Sequence, residues 1–230
     1  MTIRGIPEIR DGPTLAQAGR DDEVEAGAGP IRLPGHLTVP GGATGIVLFV
    51  HGSGSSRHSP RNRQVARLLN GAGLGTLLFD LLTPDEDLDR SNVFDIELLA
   101  GRLGRVTRWL RSEPGTEGTR FGYFGASTGA AAALLAAAEP AADVDAVVSR
   151  GGRPDLAMAR LGEVRAPVLL IVGGHDELVL DLNREAQRHL RCENRLAVIP
   201  GATHLFEEPG ALDQVAALAR DWFAAKLAVG

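Results

Sequence analysis

Apolar and polar positions alternate between two rhythms along this chain. Short, nearly continuous apolar runs recur at residues 45–50, 74–79, 120–124, 144–149 and 167–172, with a last one at 195–199. Runs of that length are typical of strands buried on both faces of a parallel sheet. Between them the period lengthens to that of a helix at residues 61–69, 91–111, 130–138, 181–190 and 209–228. In 91–111 the residues Ile96, Leu99, Leu103, Val106 and Leu110 fall on one stripe, and in the last segment Leu212, Val215, Leu218, Trp222 and Phe223 form an inner face. Weaker strand signals in 23–39 are interrupted by Gly29-Pro30 and Pro34-Gly35. This fits a hairpin at a sheet edge, where proline is tolerated. Strand alternating with helix predicts an α/β fold: a mostly parallel sheet with helices on both faces.

The polar segments complete the outline. Residues 1–22 have little periodicity and read as an N-terminal arm ahead of a single domain over 23–230. Residues 85–90 read as an acidic loop and 155–161 as a short helix. No connection is long enough for a large cap, so the lid candidates are 81–92 and 150–162.

Composition excludes several classes. A net charge of −5 with no basic block argues against a nucleic-acid partner. Lys226 is the only lysine, which argues against a pyridoxal Schiff base or a Walker-type phosphate loop. Cys192 is the single cysteine, so no internal disulfide is available, and its surroundings point to a structural role. No apolar run reaches the ~18 residues of a membrane span. The first 22 residues do not resemble a signal peptide, so the expectation is a cytoplasmic protein. No His-x-x-x-His pair or cysteine cluster suggests a metal. Gly52-Ser53-Gly54 follows a strand, but Arg57 stands where a dinucleotide fingerprint needs its third glycine. No cofactor is expected.

The chemistry collects at strand ends. Gly125-Ala126-Ser127-Thr128-Gly129 lies between an apolar strand and an alanine-rich helix. Read blandly, it is a small-residue turn. Read chemically, it is a nucleophile elbow that lifts Ser127 clear of the sheet. The bland reading weakens once the other strand ends are included, where Asp176 follows one strand and His204 the next. Serine, acid, histidine is the chain order of an α/β-hydrolase triad. A serine hydroxyl needs a base within reach, His204 supplies an imidazole, and Asp176 would fix its tautomer. Asp80 is a rival acid, but it precedes the serine. His175 neighbours Asp176 and is expected to point away. The tetrahedral oxyanion needs preorganised donors. The Thr128 N–H is one, and the second is expected from Ser53 or Gly54 in His51-Gly52-Ser53-Gly54. Gly52, Gly54, Arg57, Arg150 and Arg153 are candidate substrate contacts. With Arg61, the arginines would form a cationic rim for an ester carrying an anionic group, unless they pair with the acids of 85–89.

From about Gly45 onward these motifs, together with Gly173-Gly174-His175-Asp176-Glu177-Leu178-Val179 and Gly201-Ala202-Thr203-His204, resemble the dienelactone-hydrolase-like group of α/β-hydrolases. The resemblance implies an open sheet of about eight strands, the second antiparallel, and a triad. True dienelactone hydrolases use cysteine as nucleophile, whereas this chain has Ser127, which favours a general esterase. The expectation is a hydrolase of a small-molecule carboxylic ester or lactone acting through an acyl-serine. The alternatives are an acyltransferase or perhydrolase using the same triad, or a binding module on a hydrolase fold. Oligomeric state is not legible in the sequence.

Overall fold

The computed structural model describes residues 19–228. Eight strands form one sheet in the order β1-β2-β4-β3-β5-β6-β7-β8. They are β1 (Arg20–Ala28), β2 (Ile31–Val39), β3 (Gly45–Val50), β4 (Gly75–Phe79), β5 (Arg120–Ala126), β6 (Ala146–Arg150), β7 (Val168–Gly173) and β8 (Asn194–Ile199). β2 runs antiparallel to both neighbours, β1 and β4, and every other pair is parallel. The expected edge hairpin and antiparallel second strand are therefore present. β1 begins at Arg20, so residues 20–22, expected in the N-terminal arm, belong to the sheet. The rest of that arm, residues 1–18, lies outside the described residues.

The strands are apolar throughout because both faces are covered. Ile46, Leu48 and Val50 of β3 face one layer, while Val47 and Phe49 face the other. The first layer holds α4 (Ile96–Arg111), α5 (Thr128–Ala137) and a 3-10 helix (Pro154–Glu163). The second holds α1 (Pro60–Gly71) and α7 (Ala211–Lys226). α6 (Glu177–His189) packs beside β7 and β8. α5 buries nine of its ten residues, so it carries alanine where a surface helix would carry polar side chains.

Three expectations need correction. The helix expected over 91–111 is broken at Asp95, whose backbone is non-helical and whose carboxylate accepts the Leu98 N–H at 2.9 Å. Asp95 thus ends α3 (Arg90–Phe94) and caps α4, a role that stabilises a helix by about 1 kcal/mol. The acidic loop contains a short helix, α2 (Pro84–Asp87), closed by a capping box between Thr83 and Glu86. Of the two lid candidates, residues 150–162 are no lid: Ala157 and Leu161 are buried in the core. Residues 81–92 do form a covering segment, anchored in the core by its own buried Leu81 and Leu82.

Candidate active site

The chain leaves β3 through α1 to β4 on one side and leaves β5 through α5 to β6 on the other. The crevice between the C-terminal ends of β3 and β5 is therefore a topological switch point, where α/β sheets bind ligands. The loop after β3 carries residues 51–54, and the turn after β5 carries Ser127.

Ser127 has φ 51°, a left-handed conformation rare for a side-chain-bearing residue. The surroundings impose it. A Cβ on Gly129 would lie 2.2 Å from the Val50 carbonyl oxygen, and one on Gly125 would lie 2.5 Å from the Ala130 Cα. Only glycine at both positions lets the turn close against β3 and α5. The turn after β6 holds the elbow from the other side. The Arg150 carbonyl accepts the Ser127 N–H at 3.2 Å, and the Arg153 N–H donates to the Ser127 carbonyl at 3.1 Å. Asn183 on α6, fully buried, donates to the Gly152 carbonyl and fixes that turn in place.

Asp176 precedes α6 and His204 lies in the loop between β8 and α7. They meet at 2.6 Å between Asp176 Oδ2 and His204 Nδ1. A carboxylate only accepts, so Nδ1 carries a proton, and in the neutral ring Nε2 keeps its lone pair. The ring reaches the turn after β6 that holds the elbow: a Cβ on Gly151 would stand 3.5 Å from His204 Cε1. The His204 loop is itself constrained. Phe206, fully buried, has φ 55°, and the Glu208 carboxylate accepts the Thr203 N–H at 3.0 Å. A bulky residue in that region costs on the order of 1–3 kcal/mol. No sequence signal marks Phe206 for this role. The rival acid Asp80 is engaged elsewhere, accepting the Arg57 N–H at 2.7 Å. His175 is exposed.

The oxyanion candidates are less simple. α5 has no side-chain cap at its N-terminus, which leaves the Thr128 N–H at the positive end of the helix. The Ser53 N–H instead donates to Thr128 Oγ1 at 2.9 Å. Gly52 lets the loop approach the elbow, since a Cβ there would lie 3.0 Å from Ser127 Cβ, and Gly54 supplies the positive φ of the turn. His51 ties this loop to the covering segment. Nδ1–H donates to the Gly52 carbonyl at 3.1 Å, and Nε2 accepts the Leu81 N–H at 3.3 Å. Burial lowers its pKa, outweighing Asp80 and Asp87 nearby, so it is a neutral structural ring. Between it and the covering segment lies a cleft of about 240 Å³ lined by Ser55, Asp80, Leu82 and Asp87.

The expected cationic rim does not form. Arg57 pairs with Glu23 at 2.7 Å and Asp80 at 3.4 Å, Arg153 is bidentate to Asp155, and Arg61 meets Glu207. These partners are other acids than those of the 85–89 run. Arg150 is buried, not at a mouth, with its guanidinium 5.8 Å from the Phe206 ring centre and Nη2 3.4 Å from Asn62 Oδ1. Burial, with Arg61 nearby, pushes its pKa down to about 10. Cys192 is half-buried just before β8, at the other end of that strand from the His204 loop, and burial pushes its thiol pKa up.

The family model of the dienelactone hydrolase family matches residues 91–228, which include Ser127, Asp176 and His204. The chain belongs to the dienelactone hydrolase family. It is 55% identical to a dienelactone hydrolase of Anabaena variabilis whose crystal structure superposes with a TM-score of 0.88, covering 91% of this chain and 99% of that one. It is 65% identical over 204 residues to a Mycobacterium tuberculosis (strain H37Rv) protein whose name proposes a phosphoribosyl transferase. That match takes in 89% of this chain but 46% of the relative, so the chain spans about half the length of that protein. The esterase Est1E of Butyrivibrio proteoclasticus, solved with ferulic acid bound, shares the fold at 16% identity (TM-score 0.75, covering 88% of this chain and 98% of that one). Family and fold together support hydrolase activity. Among the described residues no helix is long and apolar enough to cross a membrane, and no cluster of His, Cys, Asp and Glu is arranged to hold a metal.

Proposed function

We propose that this chain is a serine hydrolase that cleaves a small-molecule carboxylic ester or lactone through an acyl-serine intermediate. The observation that carries the reading is the Asp176–His204 hydrogen bond at 2.6 Å, together with the strained backbone of Ser127. Asp176 fixes the tautomer in which Nε2 can accept a proton. His204 takes the Ser127 proton as Oγ attacks the carbonyl carbon. The carbonyl π pair moves onto oxygen, facing the donors at the start of α5. Collapse expels the alcohol, which takes the proton from His204, and water repeats the sequence to release the acid.

The transferase name of the Mycobacterium relative is given to a protein about twice as long as the segment shared with this chain. The hydrolase reading rests on this chain's own site. With three of the four arginines paired and Arg150 buried, a preference for anionic esters has no free cationic rim behind it.

The test is a panel of p-nitrophenyl esters of varied acyl length, run with Ser127→Ala as control, plus mass spectrometry after fluorophosphonate treatment. The expected outcome is turnover by the wild type, none by the variant, and a single adduct on Ser127. An adduct on Ser53 or Cys192, or turnover surviving in Ser127→Ala, refutes the assignment.

A further inference from the structure

The second oxyanion donor is where geometry departs from the sequence expectation. The Ser53 N–H is not directed at an open site over Ser127, because it is hydrogen-bonded to Thr128 Oγ1 at 2.9 Å. A threonine hydroxyl has two acceptor lone pairs and one proton to donate. Here the acceptor side is engaged by Ser53, which leaves the O–H to donate. Thr128 is 5% exposed, and the Ser53 N–H is the one hydrogen-bond partner of its hydroxyl among the described residues. A buried donor with no acceptor is costly, so the position calls for an acceptor that arrives with the substrate. The hydroxyl stands between the two backbone segments that border the nucleophile, residues 52–54 and the uncapped start of α5.

We propose that the Thr128 hydroxyl is itself an oxyanion donor, with the Ser53 N–H donating to Oγ1 and Oγ1–H donating to the anionic oxygen formed when Ser127 attacks. This rests on the acyl-serine reading above. The Ser127 proton goes to His204, and Thr128 keeps its own proton throughout. Its hydrogen bond strengthens as negative charge develops. The Ser53 amide polarises the hydroxyl, because hydrogen bonds in a chain reinforce one another. Thr128 would then supply two donors, its backbone N–H and its side chain, and Ser53 would act through it.

The experiment compares Thr128→Val, Thr128→Ala and Thr128→Ser with the wild type for kcat, KM, fluorophosphonate labelling rate and melting temperature. Valine keeps the shape and removes the hydroxyl, whereas serine keeps the hydroxyl. Loss of one oxyanion donor lowers kcat by about 10²- to 10³-fold. The valine and alanine variants should show a loss of that order with KM changed by less than about threefold, since a bond made only in the transition state leaves KM alone. Thr128→Ser should stay within about tenfold of wild type, and labelling should slow in parallel with kcat. Should the valine variant fail to fold, the alanine variant carries the test. Wild-type kcat in Thr128→Val, or a faster one, overturns the proposal, because a released Ser53 N–H would then be the donor. Losses that follow melting temperature equally in all three variants also overturn it. A wild type that neither turns over esters nor labels at Ser127 overturns the acyl-serine reading and this inference together. A labelled, active wild type with unaffected Thr128→Val overturns the inference alone.

Discussion

The elbow and the covering segment both meet the loop after β3 and are built in opposite ways. Around Ser127 the backbone is held by β3, by the turn after β6 and, through Asn183, by α6, with no room for a Cβ at Gly125 or Gly129. The segment from Leu81 to Asp95 is instead made mostly of local devices, a capping box at Thr83, an Asp89 cap, an Asp95 cap and two helices of four and five residues, with His51 and Arg102 as its longer-range ties. It leaves Leu88 and Phe94 exposed. A strained nucleophile persists only where the surroundings over-determine it. A covering segment can be assembled largely from short-range contacts and altered without disturbing the elbow. If this contrast is sound, substitutions at the elbow should change chemistry or folding, and substitutions in the segment should change much less.

The largest expected effect lies in the acid–base pair. His204→Ala and Asp176→Asn should each lower kcat by about 10³-fold or more, and the double variant should be far less than multiplicatively worse, because the members act as a unit. Steady-state kinetics on one activated ester measures this. Near-normal kcat in Asp176→Asn would remove the assignment of the acid.

Next comes Gly129→Ala. Its Cβ would stand 2.2 Å from the Val50 carbonyl oxygen and 2.4 Å from that of His51, both backbone atoms that cannot swing aside. Overpacking of this kind costs about 1–3 kcal/mol and occasionally more, and backbone on both sides puts this site at the upper end. Urea denaturation should show the loss, and a stability unchanged from wild type would mean the elbow is looser than its contacts imply. Ser127→Gly runs the other way. It removes the φ 51° strain and should raise stability by up to about 1 kcal/mol while abolishing turnover.

How much of this was legible follows from the same contrast. The strained turn at Ser127 and the meeting of Asp176 with His204 were readable because strand ends, small residues and chain order are one-dimensional signals. The buried strands were readable because apolar runs need no knowledge of what covers them. The capping devices were also written in the sequence, as Thr83-Pro84-Asp85-Glu86 and as Asp95 before a helix, but the apolar stripe through 91–111 masks the break. The fates of Arg57, Arg61 and Arg153 were not readable. Their partners Glu23 and Glu207 are distant in sequence, and Arg153 meets Asp155 rather than substrate. The engagement of Ser53 by Thr128 links residues 75 positions apart, and no local pattern announces it.

The smallest effect should come from the tether that holds the covering segment. Glu86 accepts from the Thr83 N–H at 3.0 Å and pairs with Arg102, which is buried in α4. Partial burial disfavours its charged form, but the hydrogen bonds from Thr83 and Arg102 outweigh that and hold its pKa below the usual value. A carboxylate lowered in the folded state contributes stability that is fully present above its unfolded pKa of about 4.3 and is lost as pH falls through the folded value. Glu86→Gln keeps one acceptor oxygen, replaces the other by an amide that only donates, and removes the charge. It should cost about 1 kcal/mol at pH 7, in the range of a hydrogen-bonded pair near the surface. The discriminating measurement is the difference in urea midpoint between wild type and Glu86→Gln, taken at pH 7 and again below pH 4. That difference should shrink as pH falls through the folded value, where the wild-type carboxyl becomes neutral as well. At pH 7, kcat should stay within about twofold of wild type, since the tether touches none of the groups that hold Ser127. A difference that stayed constant with pH would assign the tether to hydrogen bonding alone. A large fall in kcat would show that the covering segment and the elbow are one cooperative unit rather than two.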